Sequence, residues 1–301
     1  MAKAEVPDDA NVRWSFGTAS RGRDGVVKFN IGTAVDGEEA AAFRAAFNML
    51  NAFDPERLTD AYSMSAAQLV ESLSARLAAG GNPAPSITRQ VAAATDTWLS
   101  AFTRFRAELE ATETQFGANS TVRPRFDALH RNDPDYRLVW ELRNVSQHEG
   151  NAQHYFHFEA ALDEKTKERS ERYSIDLEDL YATSQVRGIA GLRALREESE
   201  RVDLVSIIDR IDELHYELIL DFMAANTEAL DAAIARIWRA SKTYAPGGEM
   251  LHMFRLDDEA DGFRTGGTAS FQLLAIDTAI LPRLALALSI ARAHAASSHE
   301  G

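Results

Sequence analysis

The stretch Asp135-Tyr136-Arg137-Leu138-Val139-Trp140-Glu141-Leu142-Arg143-Asn144-Val145-Ser146-Gln147-His148-Glu149-Gly150 decides how the chain reads. Leu138, Leu142 and Val145 recur at the i, i+4, i+7 spacing that buries one stripe of an α-helix. With Leu138 at zero and a turn of about 100° per residue, that stripe spans roughly 340° to 40°. Arg143 then falls at about 140°, Gln147 at about 180°, Asn144 at about 240° and His148 at about 280°. The polar arc therefore carries a fixed cation, an amide and a titratable imidazole, a set that can hold an anion and move a proton. Gly150 predicts the helix stop.

Working outward, His130-Arg131-Asn132-Asp133-Pro134 predicts a break before this helix, with Asp133 as N-cap and Pro134 at the first helical position. Upstream, Ile87 to Phe116 reads as a long helix with Val91, Trp98, Phe102, Phe105 and Leu109 near one face. Those aromatics read as core rather than as a base-stacking platform. Ser63 to Ala79 reads as a helix stopped by Gly80-Gly81-Asn82-Pro83, and Glu38 to Asn51 as another. Val12 to Val35 alternates with period two around a glycine-rich turn and predicts a β-hairpin. That turn lacks the spacing of a phosphate-binding loop.

Downstream, His154 to Ala160 and Arg172 to Leu177 read as strands joined by the charged tip Asp163 to Glu171, a solvated hairpin loop. Asp176 to Val186 reads as a helix, and Arg196 to Ala240 as the longest helical run, with Val205, Ile208, Ile211, Leu214, Leu218 and Phe222 as its buried stripe. Met250 to Leu256 and Thr268 to Leu274 predict two more strands around the acidic turn Asp257 to Gly262, which lacks calcium-loop spacing. Ala279 to Ala296 closes the chain as a helix. The fold class expected is mainly α, a helical bundle decorated by short antiparallel β-hairpins. Three regions are expected: an N-terminal hairpin arm over 1–36, a helical core over 37–153, and a mixed hairpin and helical region over 154–301 that is either separate or part of the same domain.

The chain has 301 residues, a hydrophobic fraction of 45% and no cysteine, which excludes disulfides, cysteine nucleophiles and thiolate metal sites. Met1 to Asp9 shows no apolar signal core, and Leu273 to Ala291 is interrupted by Asp277, Pro282 and Arg283. A soluble, cytoplasmic protein with no membrane partner is expected. The net charge of −14 opposes nonspecific nucleic-acid binding. Residues 121–148 form a relative basic patch, with Arg123, Arg125, Arg131, Arg137 and Arg143 against Asp127, Asp133, Asp135 and Glu141.

His148, His154 and His157 are the one histidine cluster, but His154 and His157 would face opposite sides of a strand and no carboxylate stands at ligand spacing. No metal and no cofactor is expected. Neither a nucleophile elbow nor an HExxH is present. The remaining candidate is Arg143-Asn144-Val145-Ser146-Gln147-His148, which resembles the motif of the HEPN superfamily: Arg, a polar residue, three further residues, then His near a helix end. The resemblance covers about a helix and a half, Arg143, Asn144 and His148 being the matching positions, and 37–153 would be the HEPN-like core.

Membership implies metal-independent RNA cleavage by a homodimer whose two motifs line one cleft. Carried over by position, His148 would be the general acid or base, Arg143 would hold the scissile phosphate, and Asn144 would orient His148 or donate to phosphate. An RNA substrate, a bacterial toxin or defence role, and an antitoxin or defence partner are implied with it. The length, the β-hairpins and the acidity depart from the small toxins of that family and point to a narrow substrate. The competing reading has Arg143 and His148 as surface hydrogen-bonding groups at a helix end, on a noncatalytic helical protein for dimerisation or nucleotide sensing.

Overall fold

Aspartates start many of the helices in this chain. Asp36 Oδ1 accepts from the Glu39 N–H at 2.7 Å to open α1 (Gly37–Ala52). Asp133 does the same for Tyr136 at 2.9 Å at the head of α5 (Pro134–Glu149), as the sequence predicts. Asp176 caps α6 (Leu177–Ala182) at 3.1 Å and Asp203 caps α7 (Leu204–Ala225) at 2.7 Å. Each cap satisfies an otherwise orphaned N–H and sets a negative charge at the positive end of the helix dipole. Part of the acidic excess is therefore architectural.

The computed structural model describes residues 12–21, 25, 27–80, 83–116, 121–149, 152–162, 169–182, 197, 199–247, 249–257 and 271–298. It is mainly α with small antiparallel sheets, as expected from the periodicities. Contacts divide it into two units, Pro55–Ala225 and the two flanking segments taken together, Met1–Asp54 with Asn226–Gly301. The boundaries expected at 36 and 153 do not coincide with this division. Long-range strand pairing, which no local pattern encodes, joins the hairpin arm to the C-terminal strands.

The central unit holds α2 (Pro55–Ala78), α3 (Pro85–Phe116), α4 (Val122–Asn132), α5, α6 and α7. Helices α2 and α3 form a hairpin whose turn depends on Gly80. Its φ of +72° is costly for any residue with a Cβ, and its N–H donates to the Leu77 carbonyl at 3.0 Å. Trp98, Phe102, Phe105 and Leu109 of α3 are buried, together with Phe126 of α4, Tyr136, Leu138 and Leu142 of α5, and Ile211 and Leu214 of α7. Each such side chain removed from water stabilises the fold by about 1.5–3 kcal/mol. A 3₁₀ turn (Ala152–Tyr155) leads into a three-stranded antiparallel sheet of β3 (Phe156–Leu162), β4 (Arg169–Asp176) and β5 (Arg201–Asp203), in that order.

In the other unit β1 (Val12–Arg21), β2 (Val27–Val35), β6 (Leu251–Asp257) and β7 (Phe271–Ile276) form an antiparallel sheet in the order β2-β1-β6-β7. Trp14 pairs with Val35, but a register shift falls between Ser15 and Gly17. A Cβ at Gly17 would sit 2.1 Å from the Asn30 carbonyl oxygen, so only glycine allows this approach. Helix α1 packs on α8 (Thr227–Tyr244), and α8 on α9 (Ile280–Ser298).

Several expected boundaries differ. Helix α2 starts at Pro55, not at Ser63, because Pro55 is well placed at a first helical position. The run Arg196 to Ala240 is not one helix: β5, α7 and α8 share it, Asp203 capping one start and the buried Asn226 separating the other two. Arg201–Asp203 pair with β4 instead of coiling. His154 lies on the 3₁₀ turn and not on a strand. The charged tip falls outside the described residues over 163–168, as do 258–262 of the acidic turn, 183–186 of the helix expected after Asp176 and 268–270 of the last strand.

Candidate functional site

Within the central unit, α3 and α5 flank an open groove of about 560 Å³. From α5 it takes Arg143, Ser146 and Gln147; from α3 it takes Asp96, Ser100, Thr103 and Arg104 among others. The same α5 that buries Leu138, Leu142 and Val145 thus turns its opposite arc to this groove. The Ser146 hydroxyl donates to Asp96 Oδ1 at 2.6 Å and ties the two walls together. Thr103 donates to the Leu99 carbonyl at 3.0 Å, and Arg104 Nε to Glu108 at 2.6 Å.

Arg143 is half-buried and held from one side. Its Nη1 donates to Asn144 Oδ1 at 3.2 Å, and its guanidinium lies 5.9 Å from the Trp140 ring centroid. Its Nε is buried and has no hydrogen-bond partner. Asn144 passes the chain on, its amide donating to Glu141 Oε2 at 3.1 Å. Glu141 is 7% exposed, and its other oxygen lies 3.9 Å from His130 Nε2. The structure therefore brings Arg143 and Asn144 together and turns Asn144 toward Glu141 rather than His148. His148 is exposed on the last turn of α5 and is not among the residues lining the groove.

Asp135 on α5 and His130 on α4 are among the perturbed titratable groups. Burial, then the charge of Asp133, raises the Asp135 carboxyl above its ordinary range, with Arg210 opposing. Burial, then Arg137, lowers the His130 imidazole, against the pull of Glu141. Of the basic patch, Arg125 pairs with Asp221, and the patch carboxylate Asp133 is reached by Arg210 of α7 at 3.4 Å. These pairs rim a second cavity, about 320 Å³, between α4 and α7, whose apolar floor includes Leu129, Leu214 and Leu218. Its cations already face carboxylates.

The histidine cluster does not converge. His157 on β3 lies 3.3 Å from Glu159, while His154 stays on the 3₁₀ turn. Among the described residues no group of three or more His, Asp or Glu side chains could hold a metal ion. Also among them, no helix is long and apolar enough to cross a membrane. The α3 wall, with Asp96 and Arg104, was not anticipated. Its signal was present, since Asp96, Ser100, Thr103 and Arg104 recur at i, i+4, i+7, i+8, opposite the aromatic stripe. Compared with protein-family models, curated proteins and solved structures, the chain matches none.

Proposed function

We propose that this chain is a metal-independent endoribonuclease of HEPN type acting as a homodimer, with Arg143 and His148 as its chemical groups. The observation that carries this reading is that Arg143 lines an open polar groove while, among the described residues, its guanidinium donates to the neutral Asn144 amide oxygen and to no carboxylate. A guanidinium held this way has donors free for a phosphate oxygen. In the reaction, His148 removes the proton from a ribose 2′-hydroxyl and the 2′-oxygen attacks the adjacent phosphorus. The bond to the 5′-oxygen breaks, and that oxygen takes a proton from the second copy's imidazole. The products are a 2′,3′-cyclic phosphate and a 5′-hydroxyl, and no water is consumed. Arg143 stabilises the negative charge that develops on the nonbridging phosphate oxygens, and Asn144 holds Arg143 in place. The role in toxin or defence systems, with a cognate partner protein, belongs to the same proposal.

Purified protein incubated with total RNA in EDTA tests it. Cleavage leaving cyclic phosphate ends is expected, with Arg143→Ala and His148→Ala each slower by about 10²–10³-fold. Full cleavage by either variant refutes the site. A second reading, a noncatalytic helical interaction protein, is favoured by the Asn144–Glu141 bond and by the position of His148 away from the groove lining. It predicts no cut RNA under any condition.

A further inference from the structure

Helix α8 presents Arg236, Arg239 and Thr243 at i, i+3, i+7, on one face, with Tyr244 beside them. Together with Glu39 and Phe43 of α1 and Phe16 of β1 they line a small cleft of about 110 Å³ in the sheet-bearing unit. Its base is an aromatic cluster: Phe16 meets Phe43 edge-on at 4.5 Å and stacks on Tyr244 at 4.9 Å. The Thr243 hydroxyl donates to the Arg239 carbonyl at 2.9 Å, which fixes the last turn of the helix under the two side chains.

The charge arrangement sets this cleft apart from the cavity between α4 and α7, where Arg125 and Arg210 face carboxylates. Among the described residues no carboxylate pairs with the guanidinium of Arg236 or of Arg239, although Glu39 shares the cleft. Three other arginines are matched by carboxylates, Arg283 by Asp54, Arg292 by Asp231 and Arg210 by Asp133. In a chain of net charge −14, two neighbouring cations left without a carboxylate make a local anion site. Two guanidinium forks match a dianion with several oxygens better than a single carboxylate. The volume is below the roughly 300–1,000 Å³ of sites that enclose a whole small molecule. It suits a head group, with the remainder outside.

We infer that Arg236, Arg239 and Glu39 form a binding site for the phosphate monoester end of a small hydroxylated molecule, such as a nucleoside monophosphate or a sugar phosphate. The arginines hold the phosphate, and Glu39 accepts a hydrogen bond from a ligand hydroxyl. This site shares no residue with the groove at Arg143, so it stands whether or not the chain cuts RNA.

The test is calorimetric titration of the whole chain at low ionic strength with inorganic phosphate, AMP and glucose 6-phosphate. Binding of inorganic phosphate, and tighter binding of at least one ester, is expected. Arg236→Gln and Arg239→Gln should each weaken it about ten- to a hundredfold, with unfolding midpoints unchanged in the absence of ligand because both side chains are exposed. Glu39→Gln should tighten inorganic phosphate by removing a like charge, and Arg143→Gln should leave binding intact. The inference is overturned by failure of inorganic phosphate to bind, by undiminished binding in either α8 variant, or by loss of binding in Arg143→Gln.

Discussion

His215 is the residue whose chemistry is most constrained by its surroundings. Its ring is fully buried, 3.8 Å from Phe105 and 4.5 Å from Tyr62 between centroids, and neither nitrogen has a hydrogen-bond partner. Burial lowers its pKa to about 3. An unfolded-state imidazole titrates near 6.5, so the neutral ring favours the native state fully above about pH 6.5, and that contribution is lost as pH falls toward 3. The span corresponds to roughly 5 kcal/mol. His215→Leu is expected to flatten the difference between urea midpoints at pH 7 and pH 4; an unchanged acid sensitivity would remove His215 as its source. The residue was within reach of the sequence, since position 215 lies four after Ile211 and seven before Phe222, in register with the buried stripe. Polarity hid it, whereas the hydrocarbon positions on that stripe were read without difficulty. At Arg143 and Asn144 the limit was different. The wheel placed them opposite the buried stripe, but the choice of Glu141 over His148 as the partner of Asn144 depends on side-chain rotamers.

Helix ends were legible because caps are local. Asp133 and Pro134 were assigned from five residues, and the structure has the Asp133 cap with the helix opening at Pro134. Asp133 also faces Arg210 across to α7, which no local pattern carries. Substitution separates the two roles. Asp133→Asn keeps an N-cap acceptor and loses only a partly exposed ion pair, for a cost of about 0.2–1 kcal/mol. Asp133→Ala loses both and is expected to cost about 1–2 kcal/mol more, read from urea unfolding. If the two variants are equally stable, the cap is not what matters. At the α2–α3 turn, Gly80→Ala forces a Cβ into φ +72° and should cost about 1–2 kcal/mol. There the nearby space is open, so the penalty is conformational, and Gly80→Asn should recover part of it. Elements whose extent depends on distant pairing were misjudged. Arg201–Asp203 joins a sheet only because β4 lies beside it, and a helical period in the flanking residues gave no hint of that.

For the whole molecule, the decisive fact is that the chain leaves its first unit after Asp54 and returns to it at Asn226. Residues 55–225 are continuous and contain Arg143, Asn144 and His148. Expressed alone, they are expected to unfold cooperatively in urea and to keep whatever RNA cleavage the whole chain has; a noncooperative, ANS-binding fragment would show that the division is not one of folding. The flanking unit brings β1 against β6, with Trp14 opposite Arg255, across more than two hundred residues. The sequence alone determined the helical class, the hairpins at Val12–Val35 and around β3–β4, the cap at Asp133 and the polar arc of α5. All of these follow from interactions within a few turns or one hairpin. Tertiary structure alone decided the sheet order, the nested division of the chain, the facing of α3 and Arg143 across one groove, and the meeting of Arg236 and Arg239 with Glu39. Those depend on which surfaces come together when apolar stripes far apart in the chain are withdrawn from water, and the hydrophobic effect that drives them is non-directional.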